Sequence, residues 1–235
     1  MRGPGRLAGL VGGLLAVLFA VMTGLGLLVT RVLQDVPPLS DEAAVDRTLA
    51  AARTPAATAV SGFFSLVGST GLIIGVLVAV AVVFRLVFHR WRESAYLVLA
   101  VSAQATVFLL VTLLVPRDRP GVVRLDEWPP TSSFPSGHTG AATALYVGIA
   151  VVLAWRTRGA WARRAAVGAL VLVPLSVALA RLYRGMHHPS DVVAAFVNGG
   201  TCVLIAARTL LFGVLPASLA SRLDGHWPPT QTDRA

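Results

Sequence analysis

Six long apolar runs constrain this chain more than any other feature of it. They cover roughly 7–32, 59–83, 94–115, 138–154, 165–180 and 192–211. Each approaches the ~20 residues that a helix needs to cross a ~30 Å hydrocarbon core, the fourth and fifth being the shortest. Only 13% of the residues are charged, where a soluble domain carries about 25%. The lipid bilayer is therefore the solvent that this composition fits. The predicted fold is all-α: an integral membrane bundle of six transmembrane helices with short loops, one domain over residues 1–217. A polar tail follows at 218–235, predicted to be disordered and cytoplasmic. The first run exceeds the ~7–15-residue core of a signal peptide and no A-x-A site follows it, so it is read as a retained span.

All 20 basic residues are arginines, which excludes Schiff-base chemistry and any lysine contact to phosphate. They are scattered between apolar runs and not gathered on one face, which argues against a nucleic-acid partner. Cys202 is the only cysteine and lies in an apolar run, so no internal disulfide and no cysteine metal cluster can form. With six spans, both termini fall on one side. That side carries 12 arginines and three acids, Glu93, Asp224 and Asp233, and the other carries eight of each. The positive-inside rule then puts the termini in the cytoplasm of a multi-pass protein of the cell membrane.

The longest extramembrane insert, 31–58, lies on the outer side. Pro37-Pro38 breaks the chain and Ser40-Asp41-Glu42 starts a short helix. Ala43, Ala44, Val45, Leu49 and Ala52 give that helix an apolar stripe suited to the membrane surface. A solvated loop helix away from any substrate is the other reading.

Three polar clusters end apolar runs, all on the outer side: Arg117-Asp118-Arg119-Pro120, Pro135-Ser136-Gly137-His138, and Arg181 with His187 and Asp191. Ser136 is a good N-cap, and Gly137 lets a ligand approach the backbone at the start of the fourth span. A helix N-terminus there favours an anion, within reach of His138. Asp191 follows His187 by four residues, about one helical turn, so its carboxylate can orient that imidazole and raise its basicity. Arginine forks bind phosphate oxygens in pairs. Each cluster alone is also what ordinary interfacial anchoring looks like. Tyr183, Arg184 and His188 fit that plainer role.

Together the clusters resemble the type 2 phosphatidic acid phosphatase superfamily, whose pattern is K-x6-R-P, then P-S-G-H, then S-R-x5-H-x3-D. Arg119-Pro120, Pro135 to His138, and Arg181, His187 and Asp191 match it. Two positions depart: Thr112 stands where the lysine would fall and Ala180 where the serine would. Each loss costs on the order of 1–3 kcal/mol of charge-assisted bonding unless compensated, with Arg117 or Arg184 the candidates to replace the lysine.

The resemblance implies a phosphatase in which His187 attacks phosphorus, forming a phosphohistidine. His138 protonates the leaving oxygen and then activates water. Asp191 orients His187, and Arg119, Arg181, Ser136, Gly137 and Arg117 bind the phosphate. No cofactor and no metal are implied. The implied partners are the bilayer and a lipid phosphate: polyprenyl pyrophosphate (undecaprenyl pyrophosphate among these), phosphatidic acid or phosphatidylglycerol phosphate. A non-catalytic phospholipid-binding protein and a phosphotransferase using the same site are the alternatives.

Overall fold

The computed structural model describes residues 4–127, 131–157, 159–213 and 217–224. Six helices among them are long and apolar enough to span a membrane: α1 (Gly5–Val32), α4 (Thr70–Phe88), α5 (Arg92–Leu114), α6 (Gly137–Arg156), α7 (Ala160–Tyr183) and α8 (Pro189–Leu211). Three shorter helices are α2 (Glu42–Ala51), α3 (Pro55–Val67) and α9 (Ala217–Asp224). The all-helical six-span bundle read from the apolar runs is the observed fold.

Burial sorts the spans into a centre and a rim. In α8 and α6, 61% and 56% of the most apolar stretch is buried, against 11% for α4 and 17% for α1. The central helices α5, α6 and α8 pack on one another around Tyr96, Leu97, Leu145, Val152 and Val203. A second cluster, with Met22, Val107, Val111, Phe134 and Cys202, joins α1 to α5 and α8. Small residues let the central pair cross closely. A Cβ built on Gly199 would lie 2.7 Å from the Gly140 carbonyl oxygen. Beyond that crossing, the Ser136 amide donates to the Asp191 carbonyl at 3.1 Å and ties the start of α6 to the start of α8, the two ends beside which the histidines of interest lie.

The run at 59–83 is not one span but two helices. Thr54 caps α3, its hydroxyl accepting from the Ala57 amide at 3.2 Å. The helix ends at Gly68, where an added Cβ would meet Val177 at 2.7 Å. Ser69, in extended conformation with ψ 149°, starts α4 afresh. Ser61 and Ser65 lie on the buried face of α3, where Ser61 accepts from Arg184 at 3.2 Å and Ser65 donates to Asp126 at 2.9 Å.

Helix α2 forms where the sequence predicts it, but with the opposite face inward. Glu42 and Asp46 are buried, while Val45 is 42% exposed. The acids find basic partners in the loop before α6 and at the start of α8, and these attract them more strongly than the bilayer attracts a few alanines. The tail also differs from its expectation at its start. Residues 217–224 are helical and docked, the Trp91 amide donating to the Leu223 carbonyl at 2.7 Å. Residues 225–235 lie outside the described residues.

Candidate active site

The loop from α5 to α6, the start of α6 and the turn between α7 and α8 converge at one end of the bundle. They enclose a cavity of about 400 Å³. Its polar end is lined by Arg119, Arg181, His138 and His187, and its wall includes Ile73, Ile74, Val101, Phe108 and Leu109 from α4 and α5. Ile74 and Leu109 are 54% and 53% exposed. That wall therefore continues onto the outward face of α4 and α5. The cavity joins a cationic end to a lipid-facing groove.

His187 is 3% exposed. Its Nδ1 lies 2.8 Å from the Ser133 carbonyl oxygen. A carbonyl only accepts, so Nδ1 carries the proton and Nε2 keeps its lone pair. Ser133 is fixed in turn, its amide donating to the Arg117 carbonyl at 3.0 Å and its hydroxyl to the Asp118 carbonyl at 3.0 Å. Burial, with help from the Arg181 and Arg119 charges and against Asp191, holds the His187 pKa below the usual imidazole range. The ring is thus neutral at pH 7.

Asp191 sits 3.7 Å from His187 Nδ1, beyond hydrogen-bond length. The sequence-based expectation of a direct carboxylate–imidazole bond is corrected: Ser133 holds the ring and Asp191 acts on it through charge. The fully buried Asp191 carboxylate accepts from the His188 amide at 2.8 Å and from Arg117.

Arg117 does not reach the cavity. It bonds Asp191, the Ser190 hydroxyl at 2.7 Å and Glu42 at 2.6 Å. Arg184 is likewise engaged, by Asp126 at 2.6 Å. Neither replaces the lysine of the family pattern, and Thr112 in its place donates to the Phe134 carbonyl at 3.3 Å. Ser136 is corrected too. Its hydroxyl is buried and donates to Thr139 at 3.1 Å, and its amide donates to the Asp191 carbonyl at 3.1 Å, so both of its donors are engaged inside the protein.

Arg119 and Arg181 do line the cavity. Arg119 is anchored by one nitrogen on the Met186 carbonyl at 2.8 Å. Burial pulls its pKa below the ordinary guanidinium value, with Asp191 opposing and Arg124 adding to the fall. Arg181 donates to Asp126 at 2.5 Å and to the Ser65 hydroxyl at 2.6 Å. In both arginines Nε is buried with no partner among the described residues. Such donors are costly unless a ligand meets them. Gly137 also lines the cavity, and a Cβ there would press on the Phe108 ring at 2.9 Å. His138 makes no side-chain hydrogen bond among the described residues and lines the same cavity as His187.

Three participants escaped the motif reading: Asp126, Ser133 and Glu42. Asp126 braces both Arg181 and Arg184. Burial would raise its pKa, but the Arg184 hydrogen bond and the Arg181 charge outweigh burial and hold it below the usual carboxylate range. The signal for Asp126 was its place two residues after Arg124 in the loop that carries Arg117 and Arg119, and for Glu42 its place at the start of the outer helix. Ser133 acts through its backbone, which no residue type announces. Among the described residues, no group of three or more His, Cys, Asp or Glu side chains is arranged to hold a metal ion.

The family model described as PAP2 superfamily matches residues 93–212, which hold all three motifs and the helices that carry them. No curated protein matches the sequence significantly. Two solved structures share the fold. One is described as the first transmembrane PAP2 type phosphatidylglycerolphosphate phosphatase from Bacillus subtilis. It is 19% identical with a TM-score of 0.70, over 82% of this chain and 92% of that one. The other is Aquifex aeolicus LpxE, 22% identical with a TM-score of 0.56, over 70% of this chain and 93% of that one.

Proposed function

The chain belongs to the PAP2 superfamily, and we propose that it is a membrane lipid phosphatase, hydrolysing a phosphate monoester or pyrophosphate of a lipid through a phosphohistidine. The observation that carries this reading is the single cavity in which two imidazoles and two guanidinium groups meet an apolar groove. A head group fits the cationic end while acyl or prenyl chains remain beside α4 and α5.

In the proposed reaction the phosphate binds between Arg119 and Arg181, whose buried Nε–H groups gain acceptors. Nε2 of His187 attacks phosphorus and the bond from phosphorus to the lipid oxygen breaks. That oxygen takes a proton from His138, whose charged form the bound phosphate favours. His138, now neutral, removes a proton from water as the water displaces His187 from phosphorus. Asp191 stabilises the positive charge on the phosphorylated ring from 3.7 Å. No step needs a metal.

The arginine asymmetry supports cytoplasmic termini and an active site on the outer face of the cell membrane. A polyprenyl pyrophosphate carrier, presented on that face, is the first substrate to test, followed by phosphatidylglycerol phosphate and phosphatidic acid. The decisive assay measures phosphate release from each lipid by detergent-purified protein with EDTA present. We expect release from at least one, lost in H187A. Binding without release favours a non-catalytic lipid binder, and transfer to an added alcohol favours a phosphotransferase.

A further inference from the structure

Helix α2 lies outside the stretch matched by the family model, yet it buries its two acids against the active site. Glu42 and Asp46 are one helical turn apart and so share a face. One Glu42 oxygen accepts from the Ser190 amide at 2.6 Å and the other from Arg117 at 2.6 Å. Asp46 accepts from His188 Nδ1 at 2.7 Å. The first turn of α8 is therefore held from outside through an amide, an imidazole and a shared guanidinium.

Arg117 couples α2 to Asp191. It sits between two carboxylates, Glu42 on one side and Asp191 on the other. Bound to Asp191 alone, its full charge would cancel the carboxylate that faces His187 and draw it away from the ring. Sharing Arg117 with Glu42 leaves Asp191 a net negative neighbour of His187, in a poorly solvated place where charge acts strongly. Glu42 and Asp46 line no part of the cavity that holds the two histidines, so neither touches a bound head group.

We propose that α2 is a clamp on the catalytic site, in which Glu42, acting through Arg117 and Asp191, positions His187 and preserves the negative charge behind it. This inference rests on the reading of His187 as the nucleophile.

The test is steady-state kinetics of full-length E42Q, E42D, R117Q and the E42Q/R117Q pair on the lipid that the wild type cleaves. The E42Q change should lower kcat by about 10- to 100-fold with KM within about twofold. E42D should recover most of the loss, and the pair should be little worse than R117Q alone, because the two residues act in one chain. A kcat per folded molecule equal to wild type in E42Q, or fully additive losses in the pair, overturns the clamp and leaves the phosphatase reading intact.

Orthovanadate binding by calorimetry gives a readout without turnover. Vanadate bonds a ring nitrogen and so senses the placement of His187, while inorganic phosphate senses only the cavity. E42Q should weaken vanadate about tenfold and leave phosphate unchanged. Equal vanadate affinity in wild type and E42Q overturns the clamp. A wild type that cleaves no lipid and binds neither ion refutes the phosphatase reading and the clamp with it.

Discussion

The two ends of the bundle both bury carboxylates among arginines, but they differ in what the arginines have left to offer. At the end away from the cavity, Glu93 is fully buried and held by Arg90 and Arg156, each at 2.5 Å. Arg156 also stacks over Trp155, 4.0 Å from its ring centroid, and Arg92 donates to the Leu210 carbonyl at 2.6 Å. No nitrogen of Arg90, Arg92 or Arg156 is among the buried atoms lacking a partner. At the cavity end, Asp126 and Asp191 orient arginines just as firmly, yet Arg119 and Arg181 each keep a buried Nε without an acceptor. Ion pairing alone is therefore a poor marker of function. What separates the ends is donor capacity left over on arginines that line a cavity beside imidazoles.

The largest effect should come from the proposed nucleophile. His187→Asn should lower kcat by about 10,000-fold or more while the protein folds and binds lipid, since the covalent route is lost. Phosphate release and lipid binding, measured side by side, check it. Asp126→Asn comes next. It leaves Arg181 and Arg184 without their carboxylate, and kcat/KM should fall about 10- to 100-fold. The mirror test at the other end is Glu93→Gln. It should lower unfolding stability by about 3 kcal/mol, because two arginines lose their buried partner. Its kcat per folded molecule should stay within about twofold of wild type. A large kcat loss in E93Q, matched by none in D126N, would break the comparison.

The smallest effects are in pH dependence. His187 must be neutral to attack and burial keeps its pKa low, so the loss of kcat/KM caused by protonating His187 should begin only below about pH 6.5. His188 behaves oppositely. Burial disfavours its charge, but the Asp46 hydrogen bond and the Asp191 charge outweigh burial and the opposing Arg117 charge, and its pKa is raised. A raised histidine pKa contributes stability that is complete below about 6.5 and is lost as pH rises through the folded value. Thermal unfolding of wild type should weaken slightly over that rise. D46N should abolish the slope.

How much of this was legible follows from which atoms do the work. Apolar length announced five of the six spans well, because lipid demands it of every helix. The exception, 59–83, failed at Gly68-Ser69, where a break costs little in composition but redirects the chain. His138, His187, Arg119 and Arg181 could be read because it is their side chains that line the cavity and their spacing is fixed by helix starts. Arg117 and Ser136 were expected at the phosphate and are found behind it. Their residue types suit an anion, but Glu42, Asp191 and Thr139 reach them first, and those partners come from distant stretches or from unremarkable positions. The role of Ser133 lies in a carbonyl oxygen, which every residue has.

If His187 carries the phosphoryl group, the adduct can be trapped. Detergent-purified protein would be mixed with lipid bearing a radiolabelled terminal phosphate, quenched within milliseconds in alkali, and mapped by peptide. An acid-labile, alkali-stable label is expected on His187, longer-lived in H138N and absent in H187N. Label on another residue, or phosphate released by H187N at the wild-type rate, would contradict it.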